Sequence, residues 1–181
     1  TTKLHLFRWI IRLPASSPCR NLISGGGFVL LHISSGETYP VSFLALQPYD
    51  LNQMQDWNEA FDWSIYFGDQ SIDVYKMVIR GHNVIQGAVA LERREDHVFV
   101  HLVESLPNAR KELDFIGEHL IAFACKRSVE MGRDGFVMLH SKTNAGLISY
   151  YVNNIGARHL GGGHMIISDD VAKRLIMLYL S

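Results

Sequence analysis

Cysteine is scarce here: the 181-residue chain has two, Cys19 and Cys125, far apart. Neither belongs to a CxxC pair or to a Cys/His ligand spacing, which argues against a structural zinc site. A reducing, cytoplasmic location is the expectation that follows. Charge of one sign is lacking as well. Lys and Arg total 17 against 18 Asp and Glu, so the formal net charge is -1 and nothing basic overall draws the chain to nucleic acid. No apolar run approaches the roughly 18 residues that a membrane span needs. One local absence stands out. Residues 1–36 contain no acid but carry Lys3, Arg8, Arg12 and Arg20 among several serines. That composition loosely resembles an organelle transit peptide. The preferred reading is an extra strand, LHLFRWIIRL, followed by a PASSP linker. Residues 1–25 are therefore set apart as an N-terminal extension, and 26–181 are read as one domain.

What is present is an ordinary globular composition, 48% hydrophobic and 19% charged. A chain of this length buries a core without covalent staples. After Gly25-Gly26-Gly27, the runs 28–33 and 38–46 read as two strands around a glycine-containing turn. Residues 48–60 show Leu51, Met54 and Trp57 every three positions, which predicts a helix. Residues 61–67 are an aromatic cluster, suited to a core or to the wall of a substrate pocket. Three strands then form a meander, at 74–80, 84–92 and 97–104, separated by short polar turns that predict antiparallel hairpins. Gly87, in mid-strand, predicts a bulge or a close backbone approach. In the third strand Val98, Val100, Leu102 and Glu104 fall on one face by alternation, a carboxylate closing an apolar row.

Pro107 ends that strand. A charged loop leads to an apolar helix from about Gly117 to Met131, with Ile121, Ala124, Cys125 and Ser128 on one side and Gly132 as C-cap. Cys125 reads as a buried structural thiol. The short strand 135–140 then predicts a parallel strand–helix–strand step. A second helix covers Asn144 to Asn154. Residues 157–168 form a glycine-interrupted strand or hairpin. A last helix, capped by Asp169, buries Ala172, Leu175, Ile176 and Tyr179.

Two features carry chemistry. The loop that runs through Gly117 into a helix offers unpaired backbone N–H groups to an anion. Asn144 and Tyr151 lie seven residues apart, nearly two turns, so an amide and a phenol point the same way. His97 and His101 share a strand face and are read as ordinary strand histidines, not metal ligands. His119 at the helix start is read as facing solvent.

The order of elements and these two features resemble the GNAT superfamily of N-acyltransferases over residues 42–181. The resemblance implies an α/β (α+β) fold, a mixed and mostly antiparallel central sheet flanked by helices on both faces. Its fourth and fifth strands splay apart around acyl-CoA. The family loop Q/R-x-x-G-x-G/A precedes the third helix. Here Gly117 matches its last glycine, while Glu112 stands for Gln/Arg and Phe115 for the first glycine. The family pattern N-x-x-A-x-x-L/F-Y-x-x-x-G-F/A is met by Asn144 and Tyr151, with Gly156-Ala157 one residue late.

What the resemblance implies is an acetyltransferase moving an acetyl group from acetyl-CoA to a primary amine by direct transfer, with no metal. Glu104 is the implied base. Tyr151 is the implied acid toward the CoA thiolate, with Tyr150 as its rival. Leu102, Val103, Arg110, Lys111, Ile116, Gly117, Glu118, His119, Asn144 and Tyr151 are the implied contacts to acetyl-CoA. The acceptor is a small-molecule or peptide amine, with no nucleic acid or membrane partner. Oligomeric state is left open, a homodimer included. The alternative is a non-catalytic acyl-CoA-binding or protein-interaction domain that keeps the fold.

Overall fold

The computed structural model describes residues 28–141 and 144–181. The readings for residues 1–25 and for Cys19 lie outside the described residues. Nine strands form one sheet among the described residues: β1 (Val29–His32), β2 (Thr38–Ala45), β3 (Ile72–Ile79), β4 (Ile85–Arg93), β5 (Val98–Ser105), β6 (Leu113–Asp114), β7 (Val137–His140), β8 (Arg158–Gly161) and β9 (His164–Ile167). Their order across the sheet is β6-β1-β2-β3-β4-β5-β7-β9-β8. Every pairing is antiparallel except β5 with β7, which is parallel. The helices are α1 (Ile116–Glu130), α2 (Ala145–Tyr150) and α3 (Asp169–Tyr179). Helix α1 is the crossover between β5 and β7, the strand–helix–strand step predicted from the sequence. Gly132 follows it at φ 74° and closes its end with an N–H donated to the Val129 carbonyl.

Strand β4 is buried from Ile85 to Leu91, because the sheet is covered on both faces there. Val89 and Leu91 lie under α1, in a core that also takes Leu120, Ile121, Ala124 and Cys125 from α1 and Ala172 and Leu175 from α3. Ala88 and Ala90 point the other way, into a second core with Met54, Trp57, Trp63 and Leu102. Each fully buried aliphatic side chain contributes roughly 1.5–3 kcal/mol.

The second face is not covered by the helix predicted at 48–60. Residues 48–53 form a 3₁₀ helix, and the following turns keep i→i+3 bonds: Asp50 N–H to Gln47, Met54 to Leu51, Trp57 to Met54. The three-residue spacing of Leu51, Met54 and Trp57 is the 3₁₀ period, and it carries no α-helix. A second 3₁₀ turn, Trp63–Tyr66, follows. A salt bridge of 2.7 Å between Lys76 on β3 and the buried Asp50 ties this segment to the sheet.

Two bulges shape the centre of the sheet. Met77 pairs with Gly87 but Val78 with Ile85, so Gln86 is extra on β4. Ala90 pairs with Leu102 but Leu91 with Val100, so His101 is extra on β5. One extra residue reverses every later side chain. The expected single row of Val98, Val100, Leu102 and Glu104 is therefore broken. Val98 and Val100 lie in the α1 core, whereas Leu102 lies in the opposite one. Gly87 is a point where α1 approaches the sheet closely. A Cβ there would sit 2.8 Å from both Ile116 Cγ2 and Leu120 Cδ1.

Candidate active site

Strands β5 and β7 pair only through Val98–Val137, Phe99–Met138 and Val100–Leu139. Beyond Val100, β5 runs on to Ser105 with its β7-facing backbone edge unpaired by β7, while β7 ends at His140. The sheet thus opens into a cleft that begins at His101. The amino end of α1 is reached from β5 through Asn108–Arg110 and β6.

At that end Phe115 holds the left-handed conformation, φ 65°, ψ 22°, without side-chain capping. This backbone favours glycine, and a bulky residue there is strained. It is also the position where the sequence pattern expects a glycine, so the loop keeps the turn although the residue differs. Ile116, Gly117 and Glu118 make the first helical turn, whose N–H groups have no carbonyl within the helix. His119 differs from expectation. It is 2% exposed and not solvent-facing. Its backbone N–H and its Nδ1 both bond the Phe115 carbonyl, at 3.0 and 2.7 Å, and its ring packs 5.2 Å from Tyr179. Burial pushes its pKa down.

Helix α2 brings two phenols to this place. The Tyr150 hydroxyl lies 2.9 Å from where a Gly117 Cβ would stand, so any larger residue there must displace that phenol. It lies within electrostatic reach of the Glu118 carboxylate. Burial pushes Glu118 up, against the weaker opposing pull of its own backbone N–H, of the Tyr150 hydroxyl and of the Lys111 charge. Burial and the Glu118 charge together push Tyr150 well up. Tyr151 is more deeply set, and burial raises its phenol to about 12. Asn144 is the N-cap of α2, its side-chain oxygen accepting from Gly146 N–H at 2.8 Å and Leu147 N–H at 3.3 Å. The extra residue before Gly156 has a structural account. Residues Tyr151–Ile155 form a π turn, in which the Gly156 N–H reaches the Tyr151 carbonyl. One added residue is what a π turn absorbs.

The remaining predicted residues lie elsewhere. Glu104 is 4% exposed and faces the second core. Its Oε1 accepts from Asn58 N–H and its Oε2 from Trp63 Nε1, both at 2.8 Å. Leu102 is buried beside it, and Val103 points to the α1 side. Arg110 pairs with Asp56 at 3.0 Å, on the same irregular segment as Asn58. Structure therefore gathers Lys111, Ile116, Gly117, Glu118, Tyr150 and Tyr151 around the head of α1. It puts Glu104, Trp63 and Leu102 on the other side of the sheet. A cavity of 210 Å³ lies over β2 and β3, against Tyr66 and Phe67, and is not the β5–β7 cleft. Among the described residues no group of three or more His, Cys, Asp or Glu could hold a metal ion, and no helix is long and apolar enough to cross a membrane.

No protein-family model matches the sequence, and no curated protein sequence does. Solved structures do match. The spermidine/spermine N-acetyltransferase SpeG from Vibrio cholerae has a TM-score of 0.56 at 15% identity, covering 74% of this chain and 98% of that one. The ribosomal-protein-S18-alanine N-acetyltransferase from Escherichia coli has 0.52 at 13%, covering 70% and 88%. A Bacillus subtilis acetyltransferase in complex with CoA has 0.50 at 12%, covering 70% and 93%. The fold is GNAT-like.

Within this GNAT-like core, sequence reasoning passed over one polar group at the cleft. His101 was read as an ordinary strand histidine. The structure makes it the bulge residue at the point where β5 and β7 part. The pairing register carries that signal, and side-chain alternation alone does not.

Proposed function

We propose that residues 26–181 form an acyl-CoA-dependent N-acyltransferase, acting with acetyl-CoA on a primary amine in one ternary complex. The observation that carries this reading is the parting of β5 and β7 after Val100–Leu139, in front of the first turn of α1. Acetyl-CoA supplies, when bound, an activated thioester carbonyl. The unpaired β5 edge near Val103 offers backbone N–H groups to stabilise charge on that oxygen. The first turn of α1, with Lys111 beside it, offers donors to an anion. Glu118 must withdraw its carboxylate from that turn for the anion to enter. Tyr151, with its phenol raised to about 12, stays protonated at neutral pH and is the proton donor to a departing thiolate. Tyr150 is the second donor. Trp63 and Leu102 form the acceptor side, and Glu104 fixes that wall. A small-molecule or peptide amine is the acceptor class, in keeping with the spermidine/spermine and alanine substrates named for two structural neighbours. The cytoplasmic setting is part of this reading.

Thermal unfolding with and without acetyl-CoA tests it, followed by turnover over an amine panel. A ligand at about 100 times its Kd adds roughly 2.7 kcal/mol, a rise of about 5–10 °C for a domain of this size. Gly117→Trp must abolish the rise, since its first side-chain atom meets the Tyr150 hydroxyl. A Tm unmoved by acetyl-CoA and by longer acyl-CoAs overturns the reading. An acidic residue, Glu118, in the first turn of α1 favours a second reading, an acyl-CoA-binding or protein-interaction domain without catalysis. A thermal rise with no transfer to any amine selects the acyl-CoA-binding form of it.

A further inference from the structure

His101 is the extra residue of the β5 bulge and the first residue of β5 beyond its pairing with β7. Its ring packs 4.9 Å from Phe99 and 5.7 Å from Tyr66, measured between centroids. Its side chain is 28% exposed. Nε2 lies 2.7 Å from Glu92 Oε2, the same oxygen that Arg94 reaches at 3.0 Å. Bonds from Arg94 and His101 hold the Glu92 carboxyl below the usual range, so it is an acceptor at neutral pH. In the neutral imidazole, Nε2 must then carry the proton and Nδ1 the lone pair. Nδ1 takes no hydrogen bond from the described residues. Glu104, by contrast, already accepts a donor at each oxygen.

We propose that His101 is the general base of acyl transfer, its Nδ1 taking the proton from the attacking amine, and that Glu92 is the positioning residue that fixes the Nε2–H tautomer. The inference rests on the acyltransferase reading above and names the base within it. As the amine nitrogen bonds to the carbonyl carbon, its proton moves to Nδ1. The carbon–sulfur bond breaks with its electron pair on sulfur, which takes the Tyr151 proton. The bulge sits about 7 Å along β5 from Val103, two residues at 3.4 Å each. Other groups bearing on the imidazole are Tyr66 from the 3₁₀ turn and Asp69 ahead of β3, with Arg94 behind Glu92.

Two measurements test this. Two-bond ¹H–¹⁵N spectra of the histidine rings, taken without any ligand, must show His101 protonated at Nε2 and bare at Nδ1, with mixed tautomers in Glu92→Gln. In His101→Gln, kcat/KM for the amine must fall by about 10²–10⁴-fold at neutral pH, and its pH profile must keep only the limb set by the amine's own ionisation. That loss must shrink as pH approaches the amine's own pKa. The acetyl-CoA thermal shift must persist in both variants, which shows that they are folded and bind the donor. Glu92→Gln must lower kcat more than it raises KM. A wild-type Nδ1–H tautomer, or a wild-type pH profile in His101→Gln, overturns this inference and leaves the acyltransferase reading standing. Wild-type protein that transfers to no amine overturns both.

Discussion

Replacing Glu104 separates an anchor from a base. Its two oxygens hold the Asn58 amide and the Trp63 indole, each at 2.8 Å, and the Glu104 side chain is itself buried. In Glu104→Gln one acceptor oxygen remains, and the new amide group points a donor at a donor. One buried N–H is left unmet, at about 1–3 kcal/mol, and a charge-assisted bond becomes a neutral one, at roughly another 1 kcal/mol. The expected loss is about 2–4 kcal/mol. For a chain of this length that lowers Tm by roughly 4–16 °C. Trp63→Phe removes one of the two donors, so the double variant must be less destabilised than the sum of the singles. Denaturant titration of the four proteins gives the coupling. The kinetic partner is KM for the amine, which must rise as the wall segment loosens, while the pH profile keeps its shape. Glu104→Gln with wild-type stability and a collapsed kcat would refute the reasoning and return the base role to Glu104.

Two further outcomes follow from the packing. Gly87→Ala drives a methyl to 2.8 Å from Ile116 Cγ2 and Leu120 Cδ1, both on fully buried side chains, and to 3.2 Å from the Glu104 carbonyl. The expected cost is about 1–3 kcal/mol, read as a fall in Tm, and an unchanged Tm would show that α1 yields freely. Glu118 gives a pH-dependent prediction. Burial raises its pKa in the fold, so the folded state holds the proton more tightly than the unfolded chain does. That contribution to stability is present below the ordinary glutamate value of about 4.3 and is lost as pH rises through the raised value. Glu118→Gln must therefore raise Tm at pH 7–8, with the gain shrinking toward zero as pH falls through 4. A lower Tm at pH 7 contradicts it.

Much of the fold was legible in the sequence because its signals are local. The meander at 74–104, the parallel crossover through α1 and the hairpin at 157–168 are marked by short turns, alternation and a glycine stop. The 48–60 segment misled because a repeat of three suits a 3₁₀ run as well as a sparse helix face, and Pro48 with Asn52 and Gln53 does not decide between them. The candidate site was legible at the glycine positions of the loop pattern, where Phe115 is left-handed and a Gly117 side chain would meet Tyr150. It was illegible where pairing register decides. Alternation placed Glu104 with Val100, and one extra residue at His101 put them on opposite faces. Nothing local in HVFVHLVE announces that bulge, because it depends on how β4 pairs with β5. The burial of His119 was hidden for a similar reason, since β1 and α3 that cover it come from distant parts of the chain.

The π turn at Tyr151–Ile155 has a consequence for how this protein is compared with others. A helix that swallows one residue of length lets the chain before and after it keep their places, while rotating one end against the other by about 100°. Fixed-gap patterns count residues and stumble at such a point, although the backbone rejoins its course at Gly156. In this segment chain length sets how the helix before Tyr151 is turned relative to the strand after Gly156. Length variation of a single residue is thus a means of turning a helix face without altering the sheet beside it.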